Sequence, residues 1–450
     1  MVFSSFEFLF RFLPVFLVIY FICPAKWRNH VLFAGSIVFY VYGEAEHVVL
    51  LLMSVLVNYV IGRLMYPDAQ EGRGKRQAFL LCLALFYDFG MLFFFKYSGL
   101  AGSLPLGISF YTFQISAYVI DVYRGRVPAE KSVVNLGTYL TMFPQLIAGP
   151  IVNYEEVSAS LKKRTITVRE LEQGIRILIL GLASKVILAD RIGLLWNNIR
   201  AVGFESISTP LAWLGAIAYS MELYFDFAGY SMMAIGLGKM LGFTIPVNFR
   251  FPYISKSVTE FWRRWHITLG RWFRDYVYIP LGGNRKGKGR TLFNLFVVWS
   301  LTALWHGAGY NFLIWGGMLL SLLLLEKLFL LRYLERSRIL SHLYVIVLVP
   351  VTWMAFTITD VGQLGVYLSR MFPFFAASKQ TVNPVDFVKY MNDYWKLLLL
   401  GVLFATPLPA KIYTLIRKKI LGTAVVAAIF ALSMYYLAIS ENNPFLYFNF

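Results

Sequence analysis

Charged residues are scarce in this chain of 450 residues, since they make up 15% of it while hydrophobic residues make up 58%. Soluble domains carry roughly 25% charged residues, and a soluble protein this apolar would expose large adhesive patches. The mean hydropathy of +0.62 agrees with this. The composition therefore excludes an ordinary soluble domain and predicts a polytopic membrane protein, in which each spanning helix needs about 20 mostly apolar residues.

Cysteine is almost absent, since Cys23 and Cys82 are the two in the chain. Both lie inside apolar runs, so they predict neither a disulfide framework nor a metal site, and we expect them to pack against neighbouring side chains. The sequence contains no phosphate-binding Walker loop, no Gly-x-Ser-x-Gly elbow and no glycosidase-like pair of carboxylates. We therefore predict no metal centre and no permanently bound cofactor.

Acidic residues are also few, because 24 of them stand against 42 basic residues and leave a net charge of +18. The basic residues cluster in short connections between apolar runs. This distribution is typical of the cytoplasmic loops of membrane proteins and not of a nucleic-acid-binding surface. We therefore expect contact with membrane lipid, including anionic lipid, and no nucleic-acid partner.

Apolar runs long enough for membrane spans recur along the whole chain. They predict about ten to twelve transmembrane helices, together with re-entrant or interfacial helices. The run 209–241 accommodates one tilted helix or two short ones, and the run 30–43 is short enough to be re-entrant. No internal repeat and no polar linker divides the sequence, so we predict one all-α integral-membrane domain over residues 1–450.

The segment 250–290 is the exception, because it contains ten basic and two acidic residues and is too charged to span lipid. Ser257 and Glu260 fit a capping box, and the helix that they begin is predicted to continue to about Ile279, before a proline. Large apolar side chains recur on one face at helical spacing. They are Phe261, Trp265, Leu269, Trp272 and Tyr276. The pattern predicts an amphipathic helix at the cytoplasmic interface, with His266 directed into the protein.

Histidine is rare, with five in the chain, and two of them lie in its most distinctive stretches. A histidine at membrane depth marks a functional site by default, and its side chain exchanges protons near neutral pH. His306 is either a general base acting on an attacking hydroxyl or a polar residue that hydrogen-bonds between helices. His266 is either a second functional group or an interfacial residue among arginines. The other three are interpreted as structural: His30, His47 and His342.

Two acidic residues at membrane depth, Glu222 and Asp226, are four positions apart and therefore share one helix face. Either they line a polar passage or they form internal ion pairs. The basic residues available as partners are Lys185, Arg191 and Arg124. An internal ion pair is the favoured interpretation.

A glycine-rich turn at Asn284 leads into a basic cluster formed by Arg285, Lys286 and Lys288. These side chains are placed to receive the phosphates of a coenzyme or the surface of an acidic carrier protein. The alternative is an ordinary cytoplasmic loop, in which basic residues are common. The pattern leaves both interpretations open.

Four stretches are the most distinctive of the chain. They are Tyr224-Phe-Asp-Phe-Ala-Gly-Tyr230, Pro252-Tyr-Ile-Ser-Lys-Ser-Val-Thr-Glu-Phe-Trp-Arg-Arg-Trp-His266, Leu281-Gly-Gly-Asn-Arg-Lys286 and Leu304-Trp-His-Gly-Ala308. In this order they resemble the membrane-bound O-acyltransferase superfamily, and within it the bacterial branch that contains the alginate O-acetyltransferase membrane subunit. The resemblance covers nearly the whole chain. Met232 departs from it, because this branch usually has an aspartate there.

The resemblance implies a helical membrane core around a funnel and a central passage. It also implies acyl transfer from a cytosolic thioester to a hydroxyl presented from outside. His306 matches the family's essential catalytic histidine, and His266 matches its second polar catalytic position. Trp265 and Trp305 are expected to wall the passage and exclude water. The other expected passage or supporting residues are Trp262, Asp226, Glu222 and Asn284.

The resemblance further implies acetyl-CoA or another acyl thioester as the donor substrate. The implied acceptor is an extracytoplasmic polysaccharide, or a partner protein of the SGNH type that acetylates it, and the implied location is the bacterial cytoplasmic membrane. The first alternative is transfer of D-alanine from a carrier protein to teichoic acids, which a related branch of the superfamily performs. The second is a transporter or lipid-linked sugar flippase without bond chemistry.

Overall fold

The secondary structure is helical throughout the described part of the chain. The computed structural model describes residues 2–69, 74–100, 102–375, 382–439 and 445–446. Within these ranges the regular elements are α-, 3-10 and π-helices, without a strand, which confirms the predicted all-α class. The chain divides into two compact units, one formed by Met1–Leu182 and Tyr230–Val247 and the other by Ala183–Gly229 and Asn248–Leu446. One integral domain over 1–450 stays a prediction.

The α-helices are numbered here in chain order. The first eleven are α1 (Leu13–Ile22), α2 (Arg28–Gly43), α3 (Val48–Ala69), α4 (Lys75–Tyr97), α5 (Ile108–Tyr123), α6 (Val133–Thr141), α7 (Phe143–Leu146), α8 (Tyr154–Lys162), α9 (Val168–Ala183), α10 (Asp190–Val202) and α11 (Thr209–Met240). The others are α12 (Val258–Arg264), α13 (Ile267–Phe273), α14 (Gly287–His306), α15 (Tyr310–Leu325), α16 (Leu331–Leu334), α17 (Arg338–Thr357), α18 (Val361–Met371), α19 (Phe387–Phe404), α20 (Leu408–Ile416) and α21 (Ile420–Ile439). The long run 209–241 thus forms one helix.

Five helices of the described residues are long and apolar enough to cross a membrane, and a sixth span results if the bent pair α19 and α20, at 74°, counts as one. The five are Val48–Tyr66, Lys75–Tyr97, Tyr310–Leu334, Arg338–Thr357 and Ile420–Ile439. The sequence predicted ten to twelve spans. Some of the other predicted runs form shorter helices, such as α2 and α9 with 16 residues each. The chain is a multi-pass membrane protein.

Aromatic side chains form the core of the first unit. Phe3, Phe8, Phe39 and Phe143 are buried, and their ring centroids lie 4.9 to 6.5 Å apart. Tilted and edge-to-face contacts at these distances suit the charge distribution of aromatic rings. Close van der Waals packing drives helix association in lipid, so these four rings stabilise the packing of the segments that carry them.

The basic segment 250–290 begins as predicted but does not form one helix. The Glu260 N–H donates to Ser257 Oγ at 3.0 Å, which confirms Ser257 as the N-cap. The Glu260 carboxylate accepts from the Lys256 N–H at 2.9 Å instead of closing a capping box on Ser257. Helix α12 ends at Arg264 and α13 begins at Ile267, so the predicted continuous helix to Ile279 is wrong.

Long-range backbone hydrogen bonds account for the break. The Arg250 N–H donates to the Arg264 carbonyl at 2.9 Å, and the Ile267 N–H donates to the Asn248 carbonyl at 3.0 Å. His266 adopts a φ of +44° between these bonds, a left-handed conformation that is unusual for a residue other than glycine. The residues before α12 therefore supply partners that the helical periodicity of the segment does not reveal.

Candidate active site

His266 lies at the junction of α12 and α13, where 2% of its surface is exposed. Its Nδ1 is 3.3 Å from Asn248 Oδ1, which also accepts from the Thr268 N–H at 3.1 Å and from Thr268 Oγ1 at 2.9 Å. Since a backbone N–H can only donate, the Asn248 atom is an acceptor and His266 Nδ1 carries the proton. In the neutral ring, the lone pair is therefore on Nε2.

The charge state of His266 follows from its surroundings. Burial, together with the nearby His306, lowers the pKa of His266 well below its ordinary value of 6.5. The charged form loses its hydration in such a site, and the neutral form is favoured. At neutral pH His266 is an uncharged ring that can accept a proton at Nε2.

His306 is the last residue of α14, and 4% of its surface is exposed. Its Nδ1 lies 2.8 Å from the Thr302 carbonyl oxygen. That carbonyl lies one helical turn before His306 on α14. A carbonyl oxygen only accepts, so His306 Nδ1 donates, and the basic nitrogen of the neutral ring is again Nε2.

Aromatic rings surround His306 and join it to His266. The ring centroid of Trp305 lies 4.6 Å from that of His306 and 6.4 Å from that of His266. Trp315 and Phe356 lie 4.7 and 5.4 Å from His306. The two predicted histidines thus lie around one indole, in surroundings that contain few polar groups.

A cluster of tryptophans extends this aromatic environment. Trp262 lies 5.0 Å from Trp299 and 5.8 Å from Trp315, and Trp265 lies 5.0 Å from Trp353. The sequence had indicated Trp262 and Trp265 but missed the other three. Trp299 precedes His306 by seven residues on α14, so helical periodicity could have revealed it. The other two belong to α15 and α17, and nothing in the local sequence connects those helices with the site.

A cavity of about 490 Å³ opens beside this cluster. It is lined by four of the predicted residues, Trp262, Trp265, His266 and Asn284. Thr302, whose carbonyl holds His306, also lines it, whereas Trp305 and His306 are not among the lining residues. The cavity therefore reaches His266 directly and reaches the helical turn that carries His306.

The cavity is also lined by three basic side chains that the sequence analysis did not single out. They are Arg263, Arg274 and Lys327. The predicted phosphate-contacting residues are placed elsewhere, exposed on the turn and at the start of α14, and they are absent from the lining. They are Arg285, Lys286 and Lys288. A count of basic residues favoured that turn, but the fold brings other cations to the cavity.

The two acidic residues of α11 belong to a separate buried cluster. Asp226 Oδ1 lies 2.8 Å from Lys185 Nζ, and Lys185 Nζ lies 2.6 Å from Asp190 Oδ1. Glu222 is 5% exposed and packs closely against Gly193, since a Cβ added to Gly193 would lie 2.4 Å from Glu222 Oε1. The ion-pair interpretation is confirmed for Asp226 with Lys185. Neither acid lines the cavity beside His266.

The chemistry of the site is that of imidazole groups in an aromatic environment. In the described ranges, no three histidine, cysteine, aspartate or glutamate side chains are placed to hold a metal ion. Two rings with Nδ1 protonated and Nε2 basic are suited to taking a proton from a hydroxyl and returning it to a leaving group.

Known proteins are similar to this chain in sequence. The pattern of the family described as "MBOAT, membrane-bound O-acyltransferase family" matches residues 127–361. A Pseudomonas putida protein named "Probable alginate O-acetylase AlgI" is 34% identical, with 100% of both chains covered. Peptidoglycan O-acetyltransferase of Helicobacter pylori is 34% identical over 70% of this chain and 68% of its own. Teichoic acid D-alanyltransferase of Bacillus subtilis is 31% identical over 47% of this chain and 56% of its own.

The matched range includes both histidines, Trp305 and the residues that line the cavity. These relatives transfer acyl groups according to their names, so the alternative of a transporter without bond chemistry is set aside. The similarity to the first relative extends over the whole chain. This chain belongs to the membrane-bound O-acyltransferase family and is a multi-pass membrane O-acyltransferase.

Proposed function

We propose that this enzyme transfers an acetyl group from a cytosolic thioester to a hydroxyl of an extracytoplasmic polysaccharide, or of a partner protein that acetylates the polysaccharide. The carrying observation is the arrangement of His266 and His306 around Trp305, each with Nδ1 donating to a protein oxygen. This leaves both Nε2 atoms basic, and His266 lines a cavity large enough for part of a substrate.

In the proposed reaction, His306 Nε2 accepts the proton of the acceptor hydroxyl as its oxygen attacks the thioester carbonyl carbon. The tetrahedral intermediate collapses with cleavage of the carbon–sulfur bond. The proton then passes from His306 to the thiolate sulfur, so that an ester and a thiol are released. The Thr302 carbonyl, 2.8 Å from Nδ1, stabilises the transient imidazolium. General-base help of this kind contributes about 10²–10⁴-fold to a rate.

His266 has a different proposed role, since its site strongly favours the neutral ring. It orients the acyl group from the cavity wall or shares the proton with His306. Asn248 keeps Nδ1 of His266 protonated, because its Oδ1 already accepts two hydrogen bonds from Thr268. Trp262 and Trp265 line the same cavity and exclude water, which limits hydrolysis of the thioester.

Acetyl-CoA is the proposed donor, and the cavity is its proposed site. The phosphates of a coenzyme require cations, which Arg263, Arg274 and Lys327 supply at the cavity wall. Arg274 also contacts Asp275 at 2.7 Å, so we expect Arg263 and Lys327 to contribute most. The phosphopantetheine arm of a carrier protein carries a phosphate as well, which keeps D-alanyl transfer as the second candidate.

The acceptor is proposed from the relatives. The proteins of Pseudomonas putida and Helicobacter pylori bear the names of glycan-modifying enzymes and match 100% and 70% of this chain. The D-alanyltransferase of Bacillus subtilis matches 47%. This difference favours acetyl transfer to a polysaccharide. We further propose an SGNH-type partner protein and the bacterial cytoplasmic membrane as location, and Met232, half-buried on α11, as a position where acceptor or partner selection differs from relatives.

The experiment uses the full chain in nanodiscs with radiolabelled acetyl-CoA. Wild type is expected to release free coenzyme A or to acetylate an added glycan, and His306→Ala is expected to abolish either signal. His30→Ala is the matched control, because His30 is exposed and packs on Trp27 in the first unit. Activity equal to wild type in a folded His306→Ala protein would overturn the mechanism. If turnover appears only with an acylated carrier protein, that carrier protein is the donor and acetyl-CoA is not.

A further inference from the structure

A second cavity, of about 790 Å³, lies among α10, α19 and α21. It shares no lining residue with the cavity beside His266, and the proposed mechanism makes no use of it. Three basic residues line it, Arg191, Lys389 and Lys396, against one acidic residue, Asp393. The groove therefore carries an excess of positive charge, which favours an anionic ligand.

Tyrosines give this groove the character of a membrane–water interface. Tyr390, Tyr394 and Tyr436 line it. The guanidinium of Arg191 lies 5.0 Å from the ring centroid of Tyr436, and Asn198 Nδ2 donates to the Tyr394 hydroxyl at 3.2 Å. Tyrosine is enriched where one end of a side chain meets lipid and the other meets water. The basic groups are thus held among side chains that prefer the level of lipid headgroups.

Apolar side chains continue the groove along the helices. Leu397 and Leu400 follow the basic and tyrosine residues of α19, and Leu432 of α21 faces the same cavity. Helix α21 is one of the candidate membrane spans, and only 22% of its apolar window is buried. Its outward surface therefore requires lipid chains around it. The floor of the groove is continuous with such a surface, so a lipid tail can occupy it without exposing new apolar area.

We propose that this groove binds one anionic phospholipid. The headgroup phosphate lies among Arg191, Lys389 and Lys396, and an acyl chain follows Leu397 and Leu400. Basic pockets between transmembrane helices are suited to anionic headgroups. A phospholipid is favoured over an acidic protein segment, because the cations and the apolar floor belong to the same groove and a polar peptide would leave the floor exposed.

Native mass spectrometry of the full chain in detergent tests this proposal. The protein is titrated with phosphatidylglycerol and with phosphatidylcholine of the same chain length. Lys389→Gln/Lys396→Gln is compared with Lys162→Gln/Lys163→Gln, which removes two exposed lysines from the first unit. Wild type is expected to prefer phosphatidylglycerol. The groove variant is expected to bind it about twenty-fivefold more weakly, at about fivefold for each basic group, and the control variant is expected to match wild type.

A competition measurement with glycerol phosphate distinguishes a lipid-binding site from a site that binds phosphate alone. Glycerol phosphate is expected to compete at least roughly a hundredfold more weakly than the lipid, because it lacks the buried chain. Equal binding of both lipids, or an equal loss in the two double variants, would overturn the proposal, as would equal competition by glycerol phosphate or co-purification of a polypeptide in place of lipid. If the double variant unfolds, Lys396→Gln alone is used, with a fivefold loss expected.

Discussion

The second unit contains two polar clusters. One is formed by Lys185, Asp190 and Asp226, and the other by His266 and His306. In the first cluster, opposite charges meet at 2.6 and 2.8 Å. The second contains two imidazole rings held at Nδ1, and one of them, His266, lines a cavity. Paired charges have little capacity to exchange a proton without breaking the pair. A neutral ring that donates at Nδ1 keeps Nε2 as its basic nitrogen, so the comparison separates stabilising polarity from reactive polarity.

Breaking the charged cluster should affect folding most. Asp226→Ala leaves Lys185 buried with one carboxylate partner fewer, and removing one partner of a buried pair costs about 3–5 kcal/mol. We expect a large fall in the thermal unfolding temperature in detergent. Glu172→Ala serves as control, because the Glu172–Arg176 pair is exposed on the glutamate side and such pairs contribute under about 1 kcal/mol. Loss of turnover without loss of stability in Asp226→Ala would instead make Asp226 part of the reactive site.

Removing the hydrogen-bond acceptor of the histidine cluster should affect both stability and rate. Asn248→Ala deprives the Thr268 N–H and His266 Nδ1 of their shared acceptor, and a buried donor left without an acceptor costs about 1–3 kcal/mol. We expect turnover to fall by about tenfold, equivalent to roughly 1.4 kcal/mol. Asn248→Asp keeps the acceptor and adds a negative charge, so it should restore stability and raise the pKa of His266. Equal pH–rate profiles for the Asp variant and wild type would contradict the contact.

The depressed pKa of His266 predicts a pH dependence of stability. The unfolded chain protonates this residue near its ordinary pKa of 6.5, whereas the folded chain keeps it neutral to much lower pH. Below about 6.5 the unfolded state therefore binds more protons, and stability falls as pH falls, by at most about 1.4 kcal/mol per pH unit. His266→Gln should remove this contribution. Thermal unfolding of both proteins between about pH 7.5 and 5.5 measures it, and parallel curves would show that His266 is not held neutral.

The smallest effect is expected when a basic residue that lines the cavity is compared with one on the turn at Asn284. Arg263 lines the cavity and Lys286 does not, although both belong to the basic segment. Arg263→Gln should raise the KM for acetyl-CoA about fivefold, because it removes a charge-assisted contact to a phosphate, while kcat stays within about twofold. Lys286→Gln should change neither parameter. If Lys286→Gln raised the KM and Arg263→Gln did not, the donor site would lie at the turn at Asn284 and not in the cavity.

The local sequence alone predicts several features of this protein. Apolar runs indicate the membrane helices because lipid requires about 20 apolar residues per span, and Ser257 marks the start of α12 because its hydroxyl caps a backbone N–H. The motif around His306 placed it at the end of an apolar helix. These features depend on neighbours within a few positions, which the chain order already contains.

Tertiary structure decided the remainder. Asn248 interrupts the predicted helix and holds His266 through contacts across 18 to 20 residues. Trp315 and Trp353 reach the site from separate helices, and Arg263, Arg274 and Lys327 reach the cavity while the denser basic turn does not. By itself, the sequence determined the all-helical membrane class and the two candidate histidines. The tautomers, the cavity and its cations depend on which distant side chains meet, and only the packing of the helices sets that.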